Sequence, residues 1–545
     1  MDNRNIAAVL QRGAADMGRE TALVHKIRGR YQRLTFVDLD RSRRDFAARL
    51  RGGGGIRPGD RVMLMVRPSM EFISLTFALF SIGAVVILID PGMGYRNLLR
   101  CIKSVRPDIL IGIPRAVLFS RLFPGPFASV RKRICVGPGL GVLGKSLTAL
   151  KPAPDNREFV AATDELAAII FTTGSTGPPK GVQYTHGIFH AQLRLIQDYY
   201  GIGPGEVDQP AFPLFALFST ALGARAVIPD MDPSRPARVD PKKFIRTLLD
   251  ESVTYSFGSP AIWNVVSRYC LDKDISLPVK KILMAGAPVS GELVERVAKI
   301  IPPDGEIHTP YGATESLPIT SIEGREILRD CWPLTGKGKG VCVGRPLPGI
   351  TVRIIRPVAG PIGDWQQVQK LDCGEIGEIV VKGAVVTRAY DHNSAETEMA
   401  KIPDGDSFRH RMGDMGYYDD LGRLWFCGRK AHVVHTADGP MYSICCEGIF
   451  NTHPHVLRSA LVGTGRSGRQ VPVILVEKKK GVGEEKLLTE LKRLAGQHPL
   501  TKRISTFFVH PGFPVDIRHN AKIFREKLVL WAEKRLSGKG CEDGL

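Results

Sequence analysis

The sequence predicts an α/β protein: a large N-terminal domain of layered α/β subdomains plus a small β-barrel-like region, then a small C-terminal α+β domain. Three observations carry that reading. From about residue 60 to 430, short apolar runs alternate with amphipathic stretches, as in layers around largely parallel sheets. After Gly374, strands are separated by Gly- and Asp-containing turns, the texture of antiparallel pairing. The last 115 or so residues then follow a strand–strand–helix–strand pattern of their own. With 545 residues, the chain has room for two or more domains with large cores.

The elements follow in order. RVMLMV (61–66) reads as a buried strand. Phe72 to Ile89 is 18 residues without a charge, which meets the length of a membrane span. The β-branched run after Gly83 and the closing Asp-Pro-Gly favour a buried helix, a turn at Gly83 and a buried strand instead. DILIGI (108–113) and LAAIIF (166–171) are further strands, and Ile188, Ala191, Leu195 and Tyr199 recur at helical spacing. VTYSFG (253–258) and KILMAG (281–286) continue the parallel pattern, while GEIGEIVVKG (374–383) and YYDDLGRLWFCGRK (417–430) read as hairpins. SALVG, PVILVEK and TFFVH give the last domain its strands, and Leu487, Leu488, Leu491 and Leu494 line its helix. The run Gly52–Gly55 reads as a flexible surface loop. Domain limits are expected at 1–428 and 433–545, with a hinge at 429–432.

Composition narrows the function. Hydrophobic residues make up 43% and charged residues 24%, which excludes disorder and collagen-like structure. Ten scattered cysteines without a C-x-x-C pair give no support to a zinc site and suit a reduced protein. The N-terminus has none of the features of a secretory signal, so a cytoplasmic protein is expected. The formal charge of +20 is spread along the chain, and basic knots such as RSRRDFAARLR (41–51) lack interleaved aromatics. Nucleic acid is therefore not expected as a partner, whereas weak association with an anionic membrane surface is.

One loop carries chemistry. FTTGSTGPPKG (171–181) follows a strand directly, and its glycines free backbone N–H groups to face a ligand while hydroxyls and Lys180 add donors and charge. Those properties suit a phosphate. Lys180 is followed by Gly181, so the pattern is not Walker A. A plain flexible turn is the alternative.

The loop resembles the signature of the adenylate-forming superfamily: acyl-CoA synthetases, luciferases and the adenylation domains of peptide synthetases. Four more motifs follow in that family's order: MAGAPVS (284–290), TPYGATES (309–316), HRMGDMGYYDDLGRLWFCGR (410–429) and PVDIRHNAKIFREKL (514–528). The resemblance covers about residues 20–530 and implies Mg²⁺-ATP chemistry, in which a carboxylate is activated as an acyl-adenylate. It implies that Thr172, Thr173, Ser175, Thr176 and Lys180 cradle the β- and γ-phosphates. Tyr311, beside Gly312, would stack on adenine, Thr314 would bond the α-phosphate, and Glu315 would hold Mg²⁺. Gly286 and Ala287 would let the backbone approach adenine, although a tight strand-to-loop turn explains them equally. Asp414 would accept the ribose hydroxyls, with Arg429 beside it, and Lys522 would reach in from the mobile C-terminal domain during adenylation.

The chain also departs from the acyl-CoA synthetases. Ala431 stands at the usual Asp or Lys pivot. Ala216 and Leu217 follow the PLF motif, where an entry-guarding His or aromatic is common. Cys445-Cys446-Glu447 replaces Pro-Ala-Glu, and Ala521-Lys522 replaces Gly-Lys. The adenylation parts are kept and the thioester parts altered. LIDPGMG (88–94), GRKAH (428–432) and RHNAKIFREKL (518–528) resemble the β-lactone synthetases of bacterial long-chain olefin biosynthesis. That resemblance implies a 2-alkyl-3-hydroxy long-chain fatty acid whose own 3-hydroxyl expels AMP. It also implies assembly with an α/β-hydrolase-type β-lactone decarboxylase and an NADPH-dependent reductase. A fatty acyl-CoA or acyl-AMP ligase is the alternative. Phe212, Leu214, Phe215, Leu217 and Phe218 are candidates for the acyl pocket, or else an aromatic-rich core strand. His190, Tyr184 and His308 lie near the motifs and read as structural.

Overall fold

The computed structural model describes residues 3–27, 29–137, 144–154, 157–171, 178–212, 214–516 and 523–538. Two seven-stranded sheets form the first layers. One is ordered 145–146, 132–135, 109–112, 61–65, 85–88, 166–171, 181–185, parallel except for the antiparallel last pair. The other is ordered 306–308, 281–284, 255–258, 207–208, 225–228, 21–27, 30–35, parallel except at its last pair. The apolar runs become strands because both faces of a parallel sheet are covered.

Helix Met70–Ile82 sits between these sheets with every residue but Glu71 buried, and one core cluster joins it to side chains of both. Its end is local chemistry. Ser69 caps the start by accepting from the Phe72 amide, and Gly83 closes it at φ +83°, where a Cβ would lie 2.5 Å from the Phe159 ring. The uncharged stretch is thus the expected helix, turn and strand, and no described helix is long and apolar enough to cross a membrane.

An eight-stranded antiparallel sheet stands where the barrel-like region was expected. Its order runs from Tyr311–Ala313 through 316–321, 341–346, 424–429, 407–418 and 377–382 to 351–355, with 401–404 paired to 407–418. YYDDLGRLWFCGRK forms the predicted hairpin. GEIGEIVVKG does not: it is one strand, Gly377–Lys382, whose partners are the distant strands 351–355 and 407–418. Its Gly-rich start is a turn into the strand rather than a reversal within it.

The C-terminal part has strands 456–464, 471–478 and 506–509 packed by helices 443–450, 484–496 and 525–536. Two core clusters lie wholly within residues 434–532. The chain enters this part from strand Leu424–Arg429 through a single 3-10 turn, Lys430–His432. Cys445, with Val433 and Tyr442, packs instead into the core of the large part.

Two local expectations change. Tyr199 is 40% exposed and Tyr200 takes the buried place on helix His186–Tyr200, because the apolar stripe drifts by one residue at the helix end. Gly52–Gly55 is a packed turn, not a loose loop. A Cβ on Gly54 would meet the Leu50 carbonyl at 2.2 Å, and the Gly53 amide bonds Lys151 O.

Candidate active site

Described residues of all five motifs line one cavity. Strands Leu166–Phe171 and Gly181–Thr185 pair antiparallel with Phe171 opposite Gly181, so the glycine loop connects adjacent strand ends. Residues 172–177 of that loop, including Thr172, Thr173, Ser175 and Thr176, lie outside the described residues, as does Lys522. Lys180 is described. Its Nζ lies 2.5 Å from Glu396 Oε2 and 5.1 Å from the centre of the Tyr390 ring.

TPYGATES forms a hairpin in which Tyr311 pairs with Thr320 and Ala313 with Ser316, leaving Thr314 and Glu315 as a two-residue turn. Gly312 is required here: a Cβ would lie 2.6 Å from Ser316 O, the hairpin's own backbone. Tyr184 donates to Thr314 O at 2.5 Å, and the Tyr390 hydroxyl donates to Glu315 Oε1 at 2.8 Å. Behind the turn, Thr387 donates through both N and Oγ1 to Glu315 O, and buried Lys401 donates to Thr387 O. Burial lowers the Lys401 ammonium to about 7, opposed by the Glu315 carboxylate.

Asp414 and Arg429 face each other across strands 407–418 and 424–429, with Arg429 Nη1 3.1 Å from Asp414 Oδ1. Tyr311 donates its hydroxyl to Asp414 Oδ2 at 2.5 Å. Burial first, and then the Asp414 charge, push the Tyr311 hydroxyl far above its ordinary value. The Asp414 charge raises the Arg429 guanidinium further. A ring, a carboxylate and a guanidinium thus form one unit across a single sheet face. Gly286, at φ +94° just past strand Lys281–Met284, turns the backbone toward the same space, with Ala287 next. Gly286 is thus the tight strand-to-loop turn, and it lines the cavity.

Apart from Thr387 and Lys401, which stand behind the turn, these groups line one cavity of about 1330 Å³. Its other half is aromatic. Phe212 and Leu214–Ala221 do not form a strand: residues 214–221 are a helix, and Phe212, Leu214, Phe215 and Phe218 line the cavity. Phe215 stacks on Phe257 at 3.6 Å, Phe218 lies 6.2 Å from Phe189, and Phe189 stacks on Tyr184 at 5.2 Å. Leu217 is not among the lining residues. It lies on another face of the helix and packs into the core instead. Ala216 is fully buried.

Several lining residues were not singled out from sequence. Tyr390, Glu396 and His410 surround the Lys180–Glu315 wall. His410 was inside a quoted motif, and burial holds its imidazole neutral, well below its ordinary value, with Lys401 adding to the effect. Asp208 is the least expected: it is 1% exposed, lines the aromatic half, accepts from Ser219 at 2.5 Å and leaves Oδ1 without a hydrogen-bond partner. Burial keeps that carboxyl protonated far above the usual carboxylate range. A lone Asp in the run Val207–Phe212 was the available signal. His190 bonds Arg4 O, His308 bonds Glu306, and neither lines the cavity; Tyr184 does.

The C-terminal part completes the wall with His432, Glu447, Ile523 and Arg525. Arg525 grips both oxygens of buried Glu447 at 2.7 Å, and the Leu461 amide holds the same carboxylate. The altered Cys445-Cys446-Glu447 segment therefore anchors the start of helix Arg525–Leu536, just after Ile523. For a divalent ion, the donor set near the turn is oxygen-only: the Glu315 carboxylate with the Thr314 and Tyr390 hydroxyls. No cluster of three or more His, Cys, Asp or Glu side chains occurs among the described residues. One carboxylate with room for phosphate oxygens is the arrangement that Mg²⁺ takes when it arrives with a nucleotide.

Residues 10–391 match the family described as AMP-binding enzymes. The chain is 45% identical over 513 residues to the olefin β-lactone synthetase of Stenotrophomonas maltophilia, covering 92% of each. It also resembles the solved amide bond synthetase McbA of Marinactinospora thermotolerans, with TM-score 0.79, 21% identity and coverage of 97% and 99%. The O-succinylbenzoate coenzyme A synthetase of Bacillus subtilis, solved with ATP and magnesium ion, gives TM-score 0.76 at 20% identity over 95% and 98%. Those two likenesses show the fold.

Proposed function

Because the chain belongs to the AMP-binding enzyme family, we propose that it uses ATP to convert a 2-alkyl-3-hydroxy long-chain fatty acid into a β-lactone. The observation that carries this reading is the continuity of one cavity from the Tyr311–Asp414–Arg429 unit to a long aromatic-lined space. A nucleotide and an apolar acyl group meet there without a separate compartment.

In the first step, a carboxylate oxygen attacks the α-phosphorus of ATP and the bond to pyrophosphate breaks. In the second, the 3-hydroxyl oxygen attacks the acyl carbon, the bond to AMP breaks and the hydroxyl proton passes to solvent. Attack from within the same molecule has a high effective concentration, which offsets ring strain. Asp414 and Arg429 orient the ribose, Tyr311 covers adenine, and Gly286 and Ala287 admit its edge. Thr314 donates to the α-phosphate. Thr172, Thr173, Ser175, Thr176 and Lys180 hold the outer phosphates, and Lys522 balances charge as the carboxylate approaches. Glu315 would hold Mg²⁺, which neutralises phosphate charge when bound. Phe212, Phe215 and Phe218 receive the acyl branches.

The division at 428/433 with a hinge at 429–432 belongs to this reading, supported by the separate core clusters of the last part. So do a cytoplasmic location, supported by nine described cysteines that are all free thiols, and assembly with an α/β-hydrolase-type decarboxylase and an NADPH-dependent reductase.

The test is incubation with Mg²⁺-ATP and a 2-alkyl-3-hydroxy acid in the absence of CoA. A β-lactone with an equal amount of AMP is expected, and Lys522→Ala abolishes it. Unchanged acid, with a thioester formed only when CoA is supplied, assigns the chain to the acyl-CoA ligases instead.

A further inference from the structure

Helices Tyr95–Val105 and Pro114–Leu122 bear a surface that the fold does not use. The first buries Leu98, Cys101, Ile102 and Val105 and turns Arg96, Arg100 and Lys103 to solvent. The second buries Ala116, Val117 and Ser120, yet Leu118 and Leu122, one turn apart, are 49% and 67% exposed. Phe123 follows at 40%, and Tyr95 reaches across from the first helix at 75%. The patch is contiguous, since the Tyr95 ring lies 5.9 Å from Phe119, which lies 4.8 Å from Phe123. Scattered surface leucines are ordinary; an aromatic-aliphatic cluster shared by two helices is not.

The charge around it is one-sided. Between Tyr95 and Arg133 stand nine Lys and Arg residues against Asp108 alone. Arg131 is engaged by Asp60 and Arg133 by Ser120. Arg96, Arg100, Lys103, Arg115 and Arg121 are exposed and hold no ion pair among the described residues. An apolar centre with a ring of long cationic side chains matches a surface that is apolar below and anionic above. Apolar and aromatic groups enter the headgroup boundary while Lys and Arg stems extend along it to phosphate.

We propose that this face docks the protein reversibly on anionic lipid surfaces, with Tyr95, Leu118, Leu122 and Phe123 entering the lipid and Arg96, Arg100 and Arg121 meeting its phosphates. The docking goes beyond the active-site reading and does not depend on which acid is activated. Co-sedimentation of the full chain with phosphatidylcholine vesicles, with and without phosphatidylglycerol, tests it. Binding is expected only with phosphatidylglycerol and is released as salt rises. The pair Leu122→Glu/Phe123→Glu and, separately, Arg96→Glu/Arg100→Glu each cut the bound fraction roughly tenfold. ATP-dependent turnover of detergent-dispersed acid stays within about twofold, because neither pair touches the cavity. Failure of the parent to sediment with phosphatidylglycerol vesicles overturns the proposal, as does binding that survives both pairs of substitutions. Concentration-dependent self-association, lost in the same variants while vesicle binding is absent, assigns the face to a second copy of the chain.

Discussion

Asp414 and Asp208 are both buried carboxyl groups, and their surroundings differ in kind. Asp414 faces the Arg429 guanidinium at 3.1 Å and the Tyr311 hydroxyl at 2.5 Å, a setting built for a charged acceptor. Asp414→Asn is expected to raise the KM for ATP roughly tenfold or more, worth ~1.4 kcal/mol or above, in steady-state pyrophosphate release. An unchanged KM would remove Asp414 from nucleotide binding. Asp208 faces no cation, accepts from the Ser219 hydroxyl and lines the same cavity as Phe215, Phe218 and Phe257. Because its folded pKa is raised, the unfolded chain loses this proton at about pH 3.9 while the folded chain keeps it. Stability is therefore full below that pH and falls as pH rises toward the folded value. Asp208→Asn mimics the protonated form, so it should melt higher than the parent at pH 8 and equally at pH 4 by differential scanning fluorimetry. A gap independent of pH would show that Asp208 is charged in the folded protein.

At the scale of elements, the turn that presents Thr314 and Glu315 is two residues long, and its geometry depends on Gly312. Gly312→Ala sets a Cβ 2.6 Å from a backbone carbonyl that cannot rotate away. A loss of ~1–3 kcal/mol of stability is expected from such overpacking. Because the displaced strand carries Tyr311, adenylation should fall more than the melting temperature suggests; ATP–pyrophosphate exchange measured below the melting range checks this. The start of helix Arg525–Leu536 depends on a different device, the Arg525–Glu447 pair. Arg525→Ala leaves Glu447 buried without its partner, a change that costs about 3–5 kcal/mol when a buried pair is broken. Limited proteolysis should then cut the C-terminal part first. Cleavage at the parent's rate would mean the pair is dispensable.

For the whole molecule, the cavity is the integrating feature. Its walls come from the parallel sheet carrying Gly286, the antiparallel sheet carrying Asp414 and the C-terminal part carrying Arg525. A salt bridge ties the connecting turn to the antiparallel sheet: Lys430 lies 2.8 Å from Glu378, which also holds the guanidinium of buried Arg411. Under the hinge reading, Lys430→Ala frees the turn at 430–432 while leaving the Arg411–Glu378 pair. A changed ratio of AMP formation to lactone formation, with the melting temperature nearly constant, is the expected outcome. Equal loss of both products would argue that the turn does not separate the two half-reactions.

The motif order and the apolar runs alone determined the family and most of the strand positions, because those properties reside in contiguous residues. FTTGSTGPPKG, TPYGATES and the Asp414–Arg429 hairpin each keep their spacing within one short segment. Tertiary structure alone decided what joins segments far apart. Tyr390 reaches Glu315 across 75 positions, and Lys180 meets Glu396 across 216. It also placed Leu217 in the core while its neighbours Phe215 and Phe218 face the cavity, since the direction of a helix face depends on what packs behind it. Asp208 belongs to the same class. Its residue type is visible in the chain, but its protonation follows from the low-polarity space that the folded sheets enclose.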